Sequence, residues 1–179
     1  MKKTIVYYYS RKGSNKFLAE RIAKDLKCDI EKIRPRMAVF FLMLFGMNFG
    51  IKKIRKRPEN YNRIILCGPI WMGKFITPLR SFVKKYKNQI KNLVFVTCCG
   101  STFKNKDDKF GHGIVFNIIK AELGEKCVHC EAFPIGLVLP EDKKDDSDAF
   151  MKTHLSEENF NGEILDRYEN FIKNLDNIN

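Results

Sequence analysis

Short apolar segments alternate with helical periodicity along this chain, and this alternation restricts the fold more than any other feature. Five segments have the β-branched and aromatic composition of strands, at residues 4–9, 28–33, 63–67, 93–97 and within 127–137. Four segments have the apolar spacing of helices, at residues 14–26, 77–86, 114–123 and 164–175. Strands that are joined through helices run parallel and are covered by helices on both faces. We therefore predict an α/β fold with a doubly wound, five-stranded parallel sheet in three layers.

The chain has 179 residues, enough for one domain with a buried core. It contains no internal repeat and no linker-like stretch, so we expect a single domain over residues 1–179 with an insertion at about 37–60. The opening residues do not have the composition of a signal peptide. Most of the six cysteines lie in predicted strands, as reduced thiols do in cytosolic proteins. We expect a cytoplasmic protein without a disulfide framework.

The insertion begins with an apolar run, Met37 to Gly50, that is rich in Phe and Met. The run is too short to span a bilayer. Three interpretations stay open. It is a buried helix, or a protein or homo-oligomer interface made adaptable by its Met and Phe side chains, or a contact with a membrane surface. The last would place the protein at the periphery of the membrane.

Positive charge is concentrated in the first third of the chain. Residues 1–60 carry 16 Lys and Arg against 5 Asp and Glu, whereas residues 61–179 carry 17 against 16. The excess is explained either by a solvated basic face or by an acidic partner. We expect no nucleic acid among its partners.

Three loops follow predicted strands at the sheet edge where ligands of open parallel sheets bind, at residues 10–15, 69–74 and 98–104. The first loop offers hydroxyls, an amide, a glycine for a tight turn and two cations: Ser10, Ser14, Asn15, Gly13, Arg11 and Lys12. Together with the N–H groups of the helix that follows, these groups suit a phosphate dianion. An ordinary turn with a helix cap would use the same residue types.

Three stretches resemble the FMN-binding flavodoxin family. Residues 4–16, TIVYYYSRKGSNK, are similar to the first strand and phosphate loop of flavodoxins. Residues 61–74, YNRIILCGPIWMGK, continued by TPLRSF at 77–82, are similar to the third strand and the loop beside the isoalloxazine ring. Residues 93–101, LVFVTCCGS, resemble the fourth strand and the loop at the pyrimidine edge. The resemblance implies the strand order 2-1-3-4-5 and FMN as the cofactor.

The resemblance also implies a role for each loop position. The FMN phosphate would be held by Ser10, Lys12, Gly13, Ser14 and Asn15, with Arg11 beside them. The ring would be lined by Pro69, Ile70, Trp71, Met72, Gly73 and Lys74. Trp71 or Met72 would stack on it, and an amide near Met72 and Gly73 would meet the flavin N5. The pyrimidine side would be approached by backbone groups of Cys98, Cys99, Gly100 and Ser101.

The chain departs from the family in two respects. Lys12 and Asn15 stand where flavodoxins usually carry threonine, and the charge of Lys12 offsets the loss of hydroxyl donors. Flavodoxins that carry electrons are usually acidic, whereas this chain has a net charge of +12. The second departure bears on the partner rather than on the fold.

Other candidate chemistry is sparse. The three histidines, His112, His129 and His154, are scattered, and we predict no acid–base group around them. Cys127 and Cys130 have the spacing of a metal or redox pair, but strand alternation predicts that they point to opposite faces. We therefore expect no metal site, no dithiol and no catalytic residue, so that any redox chemistry belongs to the cofactor.

These observations predict an FMN electron carrier with a redox protein as its partner, an acidic one if the basic half of the chain contacts it. An FMN-dependent oxidoreductase acting on a quinone, on NAD(P)H or on protoporphyrinogen is the first alternative. A flavodoxin-like module that binds no flavin is the second.

Overall fold

The computed structural model describes residues 3–37, 50–144, 146–175 and 177. The apolar run between Met37 and Gly50 lies outside the described residues except at its two ends. Its three interpretations therefore stay predictions.

The main sheet has five parallel strands, β1 (Thr4–Tyr8), β2 (Asp29–Lys32), β3 (Arg63–Cys67), β6 (Asn92–Cys99) and β7 (Cys127–Pro134). Their order across the sheet is β2-β1-β3-β6-β7. Counted among themselves, these five strands have the order 2-1-3-4-5, so the predicted topology is confirmed. A small antiparallel hairpin, β4 (Ile70–Trp71) with β5 (Lys74–Phe75), was not predicted.

Helices cover both faces of the sheet. They are α1 (Ser14–Asp25), α2 (Thr77–Tyr86), α3 (His112–Leu123), α4 (Ser147–Lys152) and α5 (Glu163–Asn174). Short 3-10 helices occupy Pro58–Asn60, Gly124–Lys126, Ile135–Val138 and Glu141–Lys143. The helix expected at 114–123 begins two residues earlier, at His112. In α2, Ile76 is the N-cap, and Thr77 and Pro78 lie in the first turn.

Side chains of the central strands alternate between two buried clusters. Tyr7 packs with Phe82 of α2 on one face, whereas Val6 packs with Leu18 of α1 on the other. Helices α2 and α3 cover the first face, and α1 and α5 cover the second. Because β1, β3 and β6 are buried on both faces, they are continuously apolar, as is usual in parallel sheets. The result is the predicted three-layer arrangement.

A β-bulge near the start of β7 corrects the prediction that Cys127 and Cys130 point to opposite faces. Cys127 pairs with Leu93 and Cys130 with Phe95, so three residues of β7 span two residues of β6. Val128 is the extra residue. Both cysteines consequently face the α2 and α3 side of the sheet, and their sulfurs lie 3.6 Å apart.

Helix α4 is not among the helices predicted from the sequence. It follows the 3-10 helix Glu141–Lys143 in an acidic stretch of the chain. The Asp146 carboxylate accepts hydrogen bonds from the N–H groups of Asp148 (2.8 Å) and Ala149 (3.2 Å) and caps α4. None of the helices in the described part of the chain is long and apolar enough to cross a membrane.

Candidate functional site

The carboxyl ends of β1, β3 and β6 open into one cleft of about 850 Å³. This size lies within the usual range for ligand sites, about 300–1,000 Å³. Among the predicted site residues, those that line the cleft are Ser10, Arg11, Lys12, Ser14, Asn15, Pro69, Ile70, Trp71, Met72, Lys74, Cys98, Cys99, Gly100 and Ser101. The other two, Gly13 and Gly73, form turns at positive φ, 113° and 67°. The structure thus brings the three predicted loops together.

Asn15 joins two of these loops. Its side chain is 4% exposed, donates to the carbonyl of Cys98 (3.0 Å) and accepts from the N–H of Cys98 (2.8 Å). The Cys67 thiol donates to the Asn15 carbonyl (3.3 Å) at the end of β3. Because the side-chain amide of Asn15 is hydrogen-bonded to the main chain of Cys98, the predicted phosphate contact of Asn15 would be made by its main-chain N–H.

The amino end of α1 has the features of an anion site. No side chain caps it, and its first turn contains no acidic residue. The Ser10 hydroxyl accepts from the N–H of Gly13 (3.2 Å) and keeps its own proton for a ligand. Lys12 uses one N–H to reach the carbonyl of Met151 (2.7 Å) and retains two more. Uncapped N–H groups and a lysine at one helix end favour a bound anion.

Ser14 is less available than the sequence suggested. Its hydroxyl accepts from the N–H of Leu155 (3.1 Å) and also bonds to the Cys98 thiol. The Leu155 contact ties the start of α1 to the segment that follows α4. Ser14 therefore contributes its main-chain N–H to the anion site more readily than its hydroxyl.

The β4–β5 hairpin forms the aromatic wall of the cleft. Met72 (φ 49°) and Gly73 (φ 67°) occupy its turn, and two consecutive residues at positive φ define a type I′ turn. A Cβ at Gly73 would clash with the carbonyl of Lys109, so the turn packs closely against the next loop. Trp71 is half-buried, and the Arg11 guanidinium lies 5.5 Å from its ring centroid. Met72 is 71% exposed at the rim.

The two cysteines of the third loop, Cys98 and Cys99, are neutral thiols. Burial raises the pKa of Cys99 to about 11 and holds the pKa of Cys98 well above its usual range. Because the thiolate is the nucleophilic form, neither side chain is activated for attack. Their contribution to the cleft is shape and main-chain hydrogen bonding, as the resemblance implied.

A buried histidine beside the third loop corrects the expectation of scattered, isolated histidines. His112 is 2% exposed, and its Nδ1 lies 2.7 Å from the Ser101 hydroxyl and 3.8 Å from the Cys99 sulfur. The sequence placed the helix start after His112, which left the residue in a loop. In the structure His112 is the first residue of α3, and its ring contacts Ser101.

Burial is the main cause of a lowered pKa at His112. Arg167 and Lys106 lower this pKa further, whereas the carboxylates of Asp107 and Glu131 raise it. The imidazole is therefore neutral at neutral pH, and one of its nitrogens remains a hydrogen-bond acceptor. A neutral His112 can fix the orientation of the Ser101 hydroxyl, which faces the cleft.

Two segments that the sequence did not suggest complete the lining. The loop before α3 and the segments after β7 contribute Asn105, Asp108, Phe110, Gly111, Ile135, Phe150, Met151 and Thr153. Phe110 and Met151 are 56% and 64% exposed and, with Met72, make the rim apolar. No group of three or more His, Cys, Asp or Glu in the described residues is placed to hold a metal ion.

Sequence and structure comparisons give different information. No protein-family model matches the chain, and a search of curated proteins finds no match. A flavoprotein from Lactobacillus acidophilus NCFM, solved with FMN, has a TM-score of 0.59 at 18% identity over 74% of this chain and 93% of its own. A short-chain flavodoxin associated with a bacterial microcompartment has a TM-score of 0.51 at 10% identity over 97% of this chain and 95% of its own.

An FMN-dependent NADH-azoreductase from Bacillus anthracis, also solved with FMN, has a TM-score of 0.52 at 10% identity over 100% of both chains. At these identities the similarity shows the fold. Together with the strand order, it shows that this chain has the flavodoxin-like fold.

The Asn15 side chain should stabilise the protein strongly. In Asn15→Ala the buried N–H and carbonyl of Cys98 lose their partner, and each unpaired group costs about 1–3 kcal/mol. Urea denaturation should show this loss in the free energy of unfolding. Asn92→Ala, which removes a surface bond to the carbonyl of Asn62 (3.1 Å), is the matched control and should cost far less. Equal losses in both variants would contradict the role given to Asn15.

The lowered pKa of His112 should make stability fall in acid. The unfolded chain binds a proton near pH 6.5 and the folded chain only at lower pH, so this contribution is present above about pH 6.5 and lost below it. The free energy of unfolding is measured by urea denaturation at several values between about pH 5 and 7.5. It should depend less steeply on pH in His112→Gln than in the parent. The exposed His154→Gln is the control. An unchanged slope in His112→Gln would refute the prediction.

Proposed function

We propose that this chain is a cytoplasmic, FMN-binding flavodoxin-like protein that carries electrons. The observation that supports it best is the single cleft formed by three loops, with a cationic, uncapped helix end on one side and an aromatic hairpin on the other. FMN has the matching parts, since it carries a phosphate dianion and a flat aromatic ring. Flavodoxin-like structures solved with FMN agree with this assignment.

In this proposal the amino end of α1 holds the phosphate. The main-chain N–H groups of Ser14 and Asn15, the Ser10 hydroxyl and the Lys12 ammonium would be its donors. Charge-assisted hydrogen bonds of this kind are about twice as strong as neutral ones. Because Lys12 is already held by the carbonyl of Met151, it loses little freedom when the phosphate binds.

The ring would lie between the hairpin and the third loop. Trp71 is the stacking residue because it is half-buried and held by Arg11, whereas Met72 projects into solvent at the rim. Ser101, oriented by His112, would meet the pyrimidine edge. When bound, the isoalloxazine ring supplies the redox chemistry, and the protein supplies binding, orientation and electrostatics.

An electron carrier is favoured over an enzyme by the rim of the cleft. Its exposed apolar side chains, Met72, Phe110 and Met151, stand beside the cations Arg11 and Lys74. An apolar patch with a basic border suits brief docking of an acidic redox protein. A second candidate, an FMN-dependent oxidoreductase, is supported by the Ser101–His112 pair, which can orient a polar substrate or pass a proton.

Binding of FMN can be followed through Trp71, the only tryptophan. Titration of the purified protein with FMN should quench its fluorescence to a stoichiometric end point. Lys12→Ala should weaken FMN about tenfold, the equivalent of one charge-assisted hydrogen bond, and leave riboflavin unchanged. Lys16→Ala, an exposed α1 residue paired with Glu20 (3.5 Å), is the charge-matched control.

Each result has a distinct meaning. Equal weakening of FMN and riboflavin in Lys12→Ala would contradict the phosphate assignment. Protein that stays colourless after incubation with FMN and desalting, without quenching of Trp71, would support the flavin-free module instead.

Reduction kinetics separate the two redox candidates. Stopped-flow mixing of the FMN-loaded protein with NADH or NADPH should give no rapid reduction if the protein is an electron carrier. A strong chemical reductant, used as the positive control, should bleach the flavin absorbance fully. Rapid reduction by either nucleotide, saturating with its concentration, would favour the oxidoreductase.

A further inference from the structure

The two cysteines at the start of β7 form a pair remote from the cleft. Cys127 lies at the amino end of the strand, whereas the cleft lies beyond the carboxyl ends of the strands. The sulfurs of Cys127 and Cys130 are 3.6 Å apart and in hydrogen-bond contact. The bulge at Val128 produces this contact, because it gives the two cysteines the separation of residues two positions apart on one face.

This separation is compatible with a covalent bond between the sulfurs. Two positions along a strand span about 6.6 Å, inside the Cα–Cα range of about 4.4–6.8 Å found in disulfides. The sulfurs would have to approach by roughly 1.5 Å to reach bonding distance. The strand end that carries them follows the 3-10 turn Gly124–Lys126.

The surroundings make the two sulfurs unequal. The hydrogen-bond contact with Cys130 lowers the pKa of Cys127, and the nearby Lys120 lowers it further, whereas burial opposes the shift. The same contact and burial raise the pKa of Cys130. Cys127 is 9% exposed and Cys130 is half-buried, on the outermost strand of the sheet. A small oxidant therefore suits this site better than a bulky one.

We propose that Cys127 and Cys130 form a dithiol site that hydroperoxides oxidise to an intramolecular disulfide. The Cys127 thiolate attacks one peroxide oxygen and breaks the O–O bond, which gives a sulfenic acid and, after protonation, one water or alcohol. The Cys130 sulfur then attacks the sulfur of Cys127, and the sulfenic hydroxyl leaves as water. Two thiols are oxidised by two electrons and the peroxide is reduced by two.

Peptide mapping of the reduced full-length chain tests this proposal. The chain is treated with hydrogen peroxide, quenched with catalase, alkylated under denaturing conditions and digested with trypsin. Both cysteines fall in one tryptic peptide, residues 127–143. After oxidation this peptide should carry no alkyl group and be two hydrogens lighter than its reduced form.

Cys28 provides the internal comparison. It is half-buried without a thiol partner, and burial raises its pKa to about 11. The pair should oxidise at least about tenfold faster than Cys28, because its thiolate fraction at neutral pH is larger. In Cys130→Ser, the sulfenic acid should persist on Cys127 and be trapped by dimedone. In Cys127→Ser, Cys130 should react slowly.

Two outcomes would overturn the proposal. One is a peptide 127–143 that is still doubly alkylated when Cys28 has been oxidised. The other is an oxidised peptide linked to a different cysteine. The wild-type map decides the question even if a serine variant fails to fold, and it does not depend on FMN binding, so its failure leaves the proposed function intact.

Discussion

The hydrogen bonds between the Asn15 side chain and the main chain of Cys98 hold the cleft together. They join the first turn of α1 to the end of β6, and the Cys67 thiol adds a contact from β3 to the same residue. Because all of these groups are buried, water cannot replace the lost bonds without entering the core. The Asn15 side chain therefore ties the anion end of the cleft to the loop that follows β6.

The charged side chains that line the cleft, Arg11, Lys12, Lys74 and Asp108, are exposed, whereas the buried groups on its Cys98–Ser101 side are neutral. Lysine and arginine stand at its anion end and rim, whereas the buried thiols of Cys98 and Cys99 and the imidazole of His112 are neutral at neutral pH. This arrangement attracts an anionic ligand without placing a nucleophile or a buried charge beside its ring. Such a site binds and orients a redox group and leaves the chemistry to that group.

Sequence periodicity was sufficient to predict the five strands, four of the five helices and the loops that meet in the cleft, because those features depend on local apolar spacing and on sheet topology. The short helix α4 and the Ile70–Phe75 hairpin were missed, since such short elements have no clear periodicity. His112 and Phe150 were missed because their place in the site depends on packing between distant segments. Asn15 lay in the predicted loop, but the hydrogen bond from its side-chain amide to Cys98 depends on the three-dimensional fold.

The bulge at Val128 also affects how this chain can be compared with its relatives. Within an uninterrupted strand, residues an even number apart share a face, but β7 changes phase between Cys127 and His129. Consider an alignment, without a gap, of β7 with a strand that has no bulge. On one side of Val128 it would pair inward-facing residues of β7 with outward-facing residues of the other protein. Deleting Val128 would leave Cys127 two positions from Cys130 in a regular strand, so both residues would keep their face and the strand would lose only its bulge. In relatives that lack the bulge, a one-residue gap is therefore expected inside this strand, where alignments normally avoid gaps.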